Sequence, residues 1–135
     1  MESLYGLNSL RTGIVQIDRD HEAILALVTA FYAAIHDKKD HPLIVDLCSK
    51  LVETTEEHFR QEEAYMERAG FPGLGEHKCE HDRLTEEARG FLMKIEHETP
   101  GADIGLYYVL RELFVAHILE YDKEFGVYYM QRAME

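Results

Sequence analysis

Apolar residues recur at helical spacing in four separate stretches of the chain. In the first, Ile24, Leu25, Val28, Phe31, Tyr32 and Ile35 share a face with His21, and Asp18 stands where an N-cap is expected. The polar run Asp37-Lys38-Lys39-Asp40 breaks the pattern, and Pro42 suits the first turn of a second helix, where its missing N–H costs nothing. That helix carries Ile44, Leu47, Cys48, Leu51, Thr55, His58, Glu62 and Tyr65 on one face and stops before Gly70. After the loop Phe71-Pro72-Gly73-Leu74-Gly75, a third seam runs through His77, His81, Leu84, Ala88, Phe91 and Ile95. Thr99-Pro100-Gly101 interrupts it, Asp103 can cap a fourth helix, and Leu106, Leu110, Leu113, Phe114, His117 and Tyr121 form its inner face. The predicted architecture is all-α, a single 1–135 domain: an arm over 1–17 and helices over about 18–37, 41–69, 76–97 and 103–130, in an up-down-up-down four-helix bundle. No strand alternation and no solenoid-length repeat compete with it.

Each apolar seam contains residues that hydrophobic patterning alone would exclude. His21 is in register with Ile24 and Val28, His58 and Glu62 with Leu51 and Thr55, His77 and His81 with Leu84, and His117 with Leu110 and Phe114. One buried histidine is ordinarily a satisfied core residue. Six such polar groups spread over four helices need positive charge among them, because burial without a strong partner is costly. His58 and Glu62, like His77 and His81, are one turn apart on one face, about 6 Å along the axis. His117 and Asp122 are five apart, roughly 140° on an ideal α-helix, so Asp122 must reach around from the flank or the helix must widen into a π-bulge.

Composition narrows the chemistry. The chain has 135 residues, 46% hydrophobic and 30% charged, enough for a core without disulfides. Its formal charge of −12 disfavours nucleic acid and anionic lipid surfaces as partners. No segment reaches the roughly 20 apolar residues of a membrane span, so no membrane insertion is expected. Cys48 and Cys79 fall in helical patterns and are expected as free thiols, and the protein is expected to be cytoplasmic. Cys79 lies two residues from both His77 and His81, off the ligand face, which argues against zinc–thiolate and iron–sulfur sites. Five imidazoles are too many for magnesium or calcium. Five histidines with Glu62 and Asp122 exceed the needs of one octahedral ion, so a di-metal core with shared carboxylates is the economical reading. Iron fits best, with zinc and manganese also compatible.

The stretches Ile17-Asp18-Arg19-Asp20-His21, His58-Phe59-Arg60-Gln61-Glu62-Glu63, His77-Lys78-Cys79-Glu80-His81 and His117-Ile118-Leu119-Glu120-Tyr121-Asp122 resemble the hemerythrin family, its bacterial single-domain members in particular. The resemblance implies a non-heme di-iron site that binds O2 reversibly. It implies that His77, His81 and His117 hold one iron and His21 and His58 the other, with Glu62, Asp122 and an oxo or hydroxo group bridging them. The iron held by two histidines would be the O2 site, and Phe59, Phe114 and Ile118 would line the gas pocket. Two departures stand out. Asp20 occupies a position where similar proteins commonly have Gln, and the chain has no tryptophan, so Leu4-Tyr5 would have to serve in the arm. Asp20 is expected as a solvated first-turn acid favoured by the helix dipole, the alternative being an outer partner that orients an imidazole.

His36, His41 and His97 fall near helix ends and are expected on the surface, and the tyrosines, Tyr107, Tyr108, Tyr128 and Tyr129 among them, are expected to pack. No phosphate loop, nucleophile elbow or paired CxxC motif is present. The expected function is therefore binding, not catalysis: O2 carriage, storage or delivery, with O2 as the partner. The alternatives are O2 or redox sensing through a protein partner, or a di-iron peroxidase or nitric-oxide-handling enzyme. Such an enzyme would need a proton donor near the open iron, for which only Tyr65 and Glu63 offer themselves.

Overall fold

The computed structural model describes residues 11–111 and 115–133. The expected contributions of Leu4-Tyr5, Leu113 and Phe114 lie outside them. The helices are α1 (Val15–His36), α2 (His41–Ala69), α3 (Leu74–Glu96), α4 (Ala102–Val109), α5 (Val115–His117) and α6 (Lys123–Ala133), with a π-helical turn over Ile118–Asp122 joining α5 to α6. No strand occurs among the described residues. α1 packs on α2, α2 on α3, α3 on α4 and α4 back on α1, so the elements close into an all-α four-helix bundle. Short connections at 37–40, 70–73 and 97–101 make successive helices antiparallel. No described helix is long and apolar enough to cross a membrane.

Two capping expectations are corrected. α1 begins at Val15 behind Ile14, and Asp18 lies inside its first turn. The Asp18 carboxylate reaches backwards and accepts from Thr12 N (2.7 Å), Thr12 Oγ1 (2.8 Å) and Gly13 N (3.2 Å). It thus satisfies donors of the preceding segment that would otherwise be orphaned. Likewise α4 starts behind Gly101, at φ 78°, and Asp103 sits within its first turn. α2 ends as its glycine signals. Gly70 (φ 65°) lets its own N–H reach Glu67 O at 3.1 Å and the Phe71 N–H reach Met66 O at 2.9 Å.

The core has two apolar clusters. The larger contains Ile24, Val28, Phe31, Leu51, Phe59, Leu84, Leu106 and Ile118, and the smaller Ile14, Ile17, Met66, Phe71 and Phe125. Along each bundle limb the out-of-place polar residues fall between them: His21 between Ile17 and Ile24, Glu62 between Phe59 and Met66, Asp122 between Ile118 and Phe125. The bundle is therefore an apolar barrel with one polar layer inside. The smaller cluster is closed by the segment before α1, which lies so near α6 that a Cβ on Gly126 would meet Thr12 O at 2.3 Å. Cys48 is buried and Cys79 exposed, both as free thiols. Burial, with the charge of Glu96, pushes the Cys48 thiol up to about 12, so it packs as a small apolar residue.

Candidate metal centre

The polar layer consists of His21, His58, Glu62, His77, His81, His117 and Asp122, each at most 3% exposed. Their ligand atoms form two groups, each with all atoms within 4.8 Å of one another: His77, His81 and His117 with Glu62 and Asp122, and His21 and His58 with the same two carboxylates. The carboxylates divide their oxygens between the groups. Glu62 Oε1 lies 2.7 Å from His77 Nε2 and 3.1 Å from His81 Nε2, while Asp122 Oδ1 lies 2.7 Å from His77 Nε2 and 2.9 Å from His117 Nε2. On the other side Glu62 Oε2 is 3.1 Å from His58 Nε2, and Asp122 Oδ2 is 2.9 Å from His21 Nε2. Glu62 thus presents one oxygen to His77, His81 and His117 and the other to His21 and His58, while Asp122 presents one to His77 and His117 and the other to His21.

The π-helical turn is what brings Asp122 into the layer. Its i→i+5 bonding widens the helix by one residue per turn, so residues five apart, such as His117 and Asp122, come onto one face. Of the two ways the sequence left open for Asp122, this is the one the fold uses.

The outer nitrogens explain how the imidazoles are aimed. His58 Nδ1 lies 3.1 Å from Asp20 Oδ2, and His81 Nδ1 lies 2.8 Å from Glu63 Oε2. A carboxylate can only accept, so each Nδ1 donates its proton and the corresponding Nε2 is left to face inward. Asp20 is therefore the orienting partner of an imidazole, and the reading of it as a merely solvated acid is corrected. It precedes His21 by one residue, which rotates it toward α2. Glu63 follows Glu62 by one residue and is rotated in the same way toward α3. Nothing in helical periodicity distinguishes either from the other surface acids.

That arrangement tests whether the residues fit a metal. With Nδ1 protonated, His81 Nε2 carries a lone pair, yet it lies 3.1 Å from a Glu62 oxygen and 3.1 Å from His117 Nε2. With the imidazoles neutral and His58 Nδ1 bonded to Asp20, His58 Nε2 and Glu62 Oε2 face each other at 3.1 Å, fully enclosed, with no proton between them. Lone pairs converging at such distances in a buried layer require cations between them. Nitrogen and oxygen donors without thiolate suit a metal site of the imidazole-binding kind.

In the chain alone, protons supply the positive charge. Burial opposes ionisation of His58, but the hydrogen bonds to Asp20 and Glu62 overcome it and raise the imidazole to about 10. For His77, burial is likewise outweighed by Asp122 and Glu62, to about 9, and His21 is raised by the same two carboxylates against its burial. Burial works against the charge of Glu62 too, yet contacts with His21, His58, His77 and His81 hold it well below the usual carboxylate range. Asp122 is held low despite its burial and the neighbouring Glu62 charge, through His117 and His21.

Around this layer, Phe59 stacks on His81 with ring centroids 3.8 Å apart and 9° between planes, and also abuts His58 and His117. Ile118 is fully buried in the larger apolar cluster. Tyr121 stacks on His117 at 5.4 Å and meets His77 edge-on, closing the three-histidine side. Tyr65 packs with the smaller apolar cluster beneath Arg68. His36 and His97 are exposed and His41 partly so, away from the layer.

The chain matches a family model described as "Hemerythrin HHE cation binding domain" over residues 12–128. It is 30% identical over 105 residues to a bacteriohemerythrin of Pseudomonas paraeruginosa, the match covering 78% of this chain and 66% of the relative, so it spans just under two thirds of that protein's length. A bacteriohemerythrin of Clostridium acetobutylicum is 29% identical over 119 residues, covering 84% of this chain and 91% of the relative. Among solved structures, wild-type hemerythrin superposes with a TM-score of 0.81 at 22% identity, covering 93% of this chain and 96% of that one, a likeness of fold.

Proposed function

The chain belongs to the hemerythrin family, and we propose that it binds O2 reversibly at two non-heme iron ions held by the seven buried residues. The supporting observation is the unequal division of donors. Five residues, His77, His81, His117, Glu62 and Asp122, surround one position, and four, His21, His58, Glu62 and Asp122, surround the other. Glu62 and Asp122 would bridge the two, each with an oxygen already directed to either side. The position beside His21 and His58 is one protein donor short, and a small ligand belongs there.

Two ferrous ions held by these seven residues would supply the two electrons that O2 uptake borrows and its release returns. The chain's own residues do the rest. Asp20 holds His58 and Glu63 holds His81 in the orientation that directs Nε2 inward. Phe59 and Ile118 keep the layer dry, and Phe114 is assigned to the same pocket from its place in the sequence. Cleavage of the O–O bond would need an acid beside the open position. Glu63 is engaged on the three-histidine side, Tyr65 packs in the other cluster, and Asp20 is committed to His58. That arrangement favours release of O2 over turnover, and hence carriage, storage or delivery over peroxidase or nitric-oxide chemistry.

Anaerobic reduction followed by admission of O2 tests this. The expected result is a visible charge-transfer band that forms with one O2 per two iron atoms and disappears under vacuum. Immediate irreversible oxidation, or purified protein holding two zinc ions or one metal per chain, would contradict it.

A further inference from the structure

Between α2, α3 and the end of α4 lies a cavity of about 30 Å3, walled by Leu51, Val52, Phe59, Leu84, Ala88 and Leu110. A single water needs about 10–15 Å3, and empty cavities are apolar ones, a larger engineered example of about 150 Å3 staying dry and admitting xenon. This one has room for more than a single water-sized atom. Thr55 also lines it, but its hydroxyl donates to Leu51 O at 2.8 Å and is turned onto its own helix. The charged residue at its rim, Glu56, is engaged by Arg89 across the α2–α3 interface, with Nε 2.6 Å from Oε1 and Nη2 2.7 Å from Oε2. The Arg89 side chain is 57% exposed and that of Glu56 16%, so the pair forms a polar cover between the cavity and solvent. On the inner side the cavity ends on Phe59, the same ring that stacks on His81.

We propose that this cavity is a holding site for O2, entered from solvent past the Glu56–Arg89 pair and emptied toward the metal centre past Phe59. O2 is apolar and diatomic, so it partitions into a dry cavity that water leaves. A charged cover carried by an exposed arginine excludes ions and slows a gas without barring it. The inference rests on the O2-binding reading and adds the route by which the gas reaches that site.

Xenon-pressurised crystals of the purified protein test the cavity without reference to O2 chemistry. The expected result is a xenon atom between α2, α3 and α4, absent in Ala88→Leu, whose larger side chain fills the space. In stopped-flow measurements, Ala88→Leu should slow O2 association and dissociation together, by about tenfold each, with affinity nearly unchanged, because a route alters the barrier and not the end states. Arg89→Ala, at an exposed position, should accelerate both, and it keeps the test available if Ala88→Leu does not fold. A wild-type crystal without xenon at this place, or unchanged O2 rates in both variants, would overturn the proposal while leaving reversible O2 binding intact. A wild type that takes up xenon but never binds O2 reversibly would sink the functional reading and this assignment with it.

Discussion

Asp20→Ala removes two hydrogen bonds, one from the exposed Gln16 side chain and one from the Nδ1 of His58 on the two-histidine side, and only the second reaches the metal layer. The bond is 3.1 Å long, and it joins a His58 side chain that is 2% exposed to an Asp20 side chain that is 23% exposed. Loss of a hydrogen bond to a charged group costs about 1.5–3 kcal/mol, and loss of an outer carboxylate lowers metal affinity by about 10–100-fold. Partial exposure of Asp20 lets water take its place on Nδ1, which puts the effect at the lower end, about tenfold or about 1.4 kcal/mol. The loss should be confined to the metal beside His21 and His58. Anaerobic ferrous titration against a competing chelator resolves this: the wild type should release its two metals closer together than the variant, which should give up one of them about tenfold more readily. Glu63→Ala is the counterpart, acting on the three-histidine metal through His81. If both variants weakened the same metal, or neither changed the titration, the assignment of these carboxylates to separate sides would be wrong.

Three further outcomes follow from the same geometry. His77 lies 2.7 Å from both Glu62 Oε1 and Asp122 Oδ1, so His77→Ala should leave buried charge uncompensated, lower stability by about 3–5 kcal/mol and reduce iron below two per chain, read by thermal melting and metal analysis; iron retained at two per chain would refute its role. In metal-stripped protein, His58 and His77 hold protons up to about 10 and about 9, above the ordinary histidine value of 6.5. Their stabilisation is thus complete below about pH 6.5 and lost as pH rises through 9 to 10, so the melting temperature of stripped protein should fall across that upper range while loaded protein changes little. Gly126→Ala places a Cβ against Thr12 O; the segment before α1 must move, and a loss of roughly 1–3 kcal/mol should appear in chemical denaturation, whereas unchanged stability would show that the segment yields freely.

The bundle was legible because four apolar seams with a period near 3.6 are separated by breaks that Gly70 and Pro100-Gly101 mark. Six of the seven layer residues were legible for the opposite reason: each violates the seam it sits in, and burial makes such violations costly, whereas Asp122, off the face of His117 on an ideal helix, was reached through its spacing and the family resemblance. What remained hidden depends on rotation about helix axes and on contacts far apart in sequence. Asp20 and Glu63 look like any surface acid until neighbouring helices bring His58 and His81 beside them. The start of α1 was misplaced because Asp18 looks like an N-cap, although Ile14 and Ile17 already continue the seam of His21 and Ile24 upstream. The segment ahead of that helix uses the Asp18 carboxylate from behind, a contact that the cap rule does not anticipate. The approach of Thr12 to Gly126 joins opposite ends of the chain, and no local pattern announces it.

Anomalous diffraction at the iron edge from crystals of the anaerobically reduced protein locates the metals themselves. Two iron peaks are expected, one within reach of His77, His81 and His117, the other within reach of His21 and His58, with Glu62 and Asp122 between them. A single peak, or two peaks that do not divide the histidines three and two, would contradict the proposed centre.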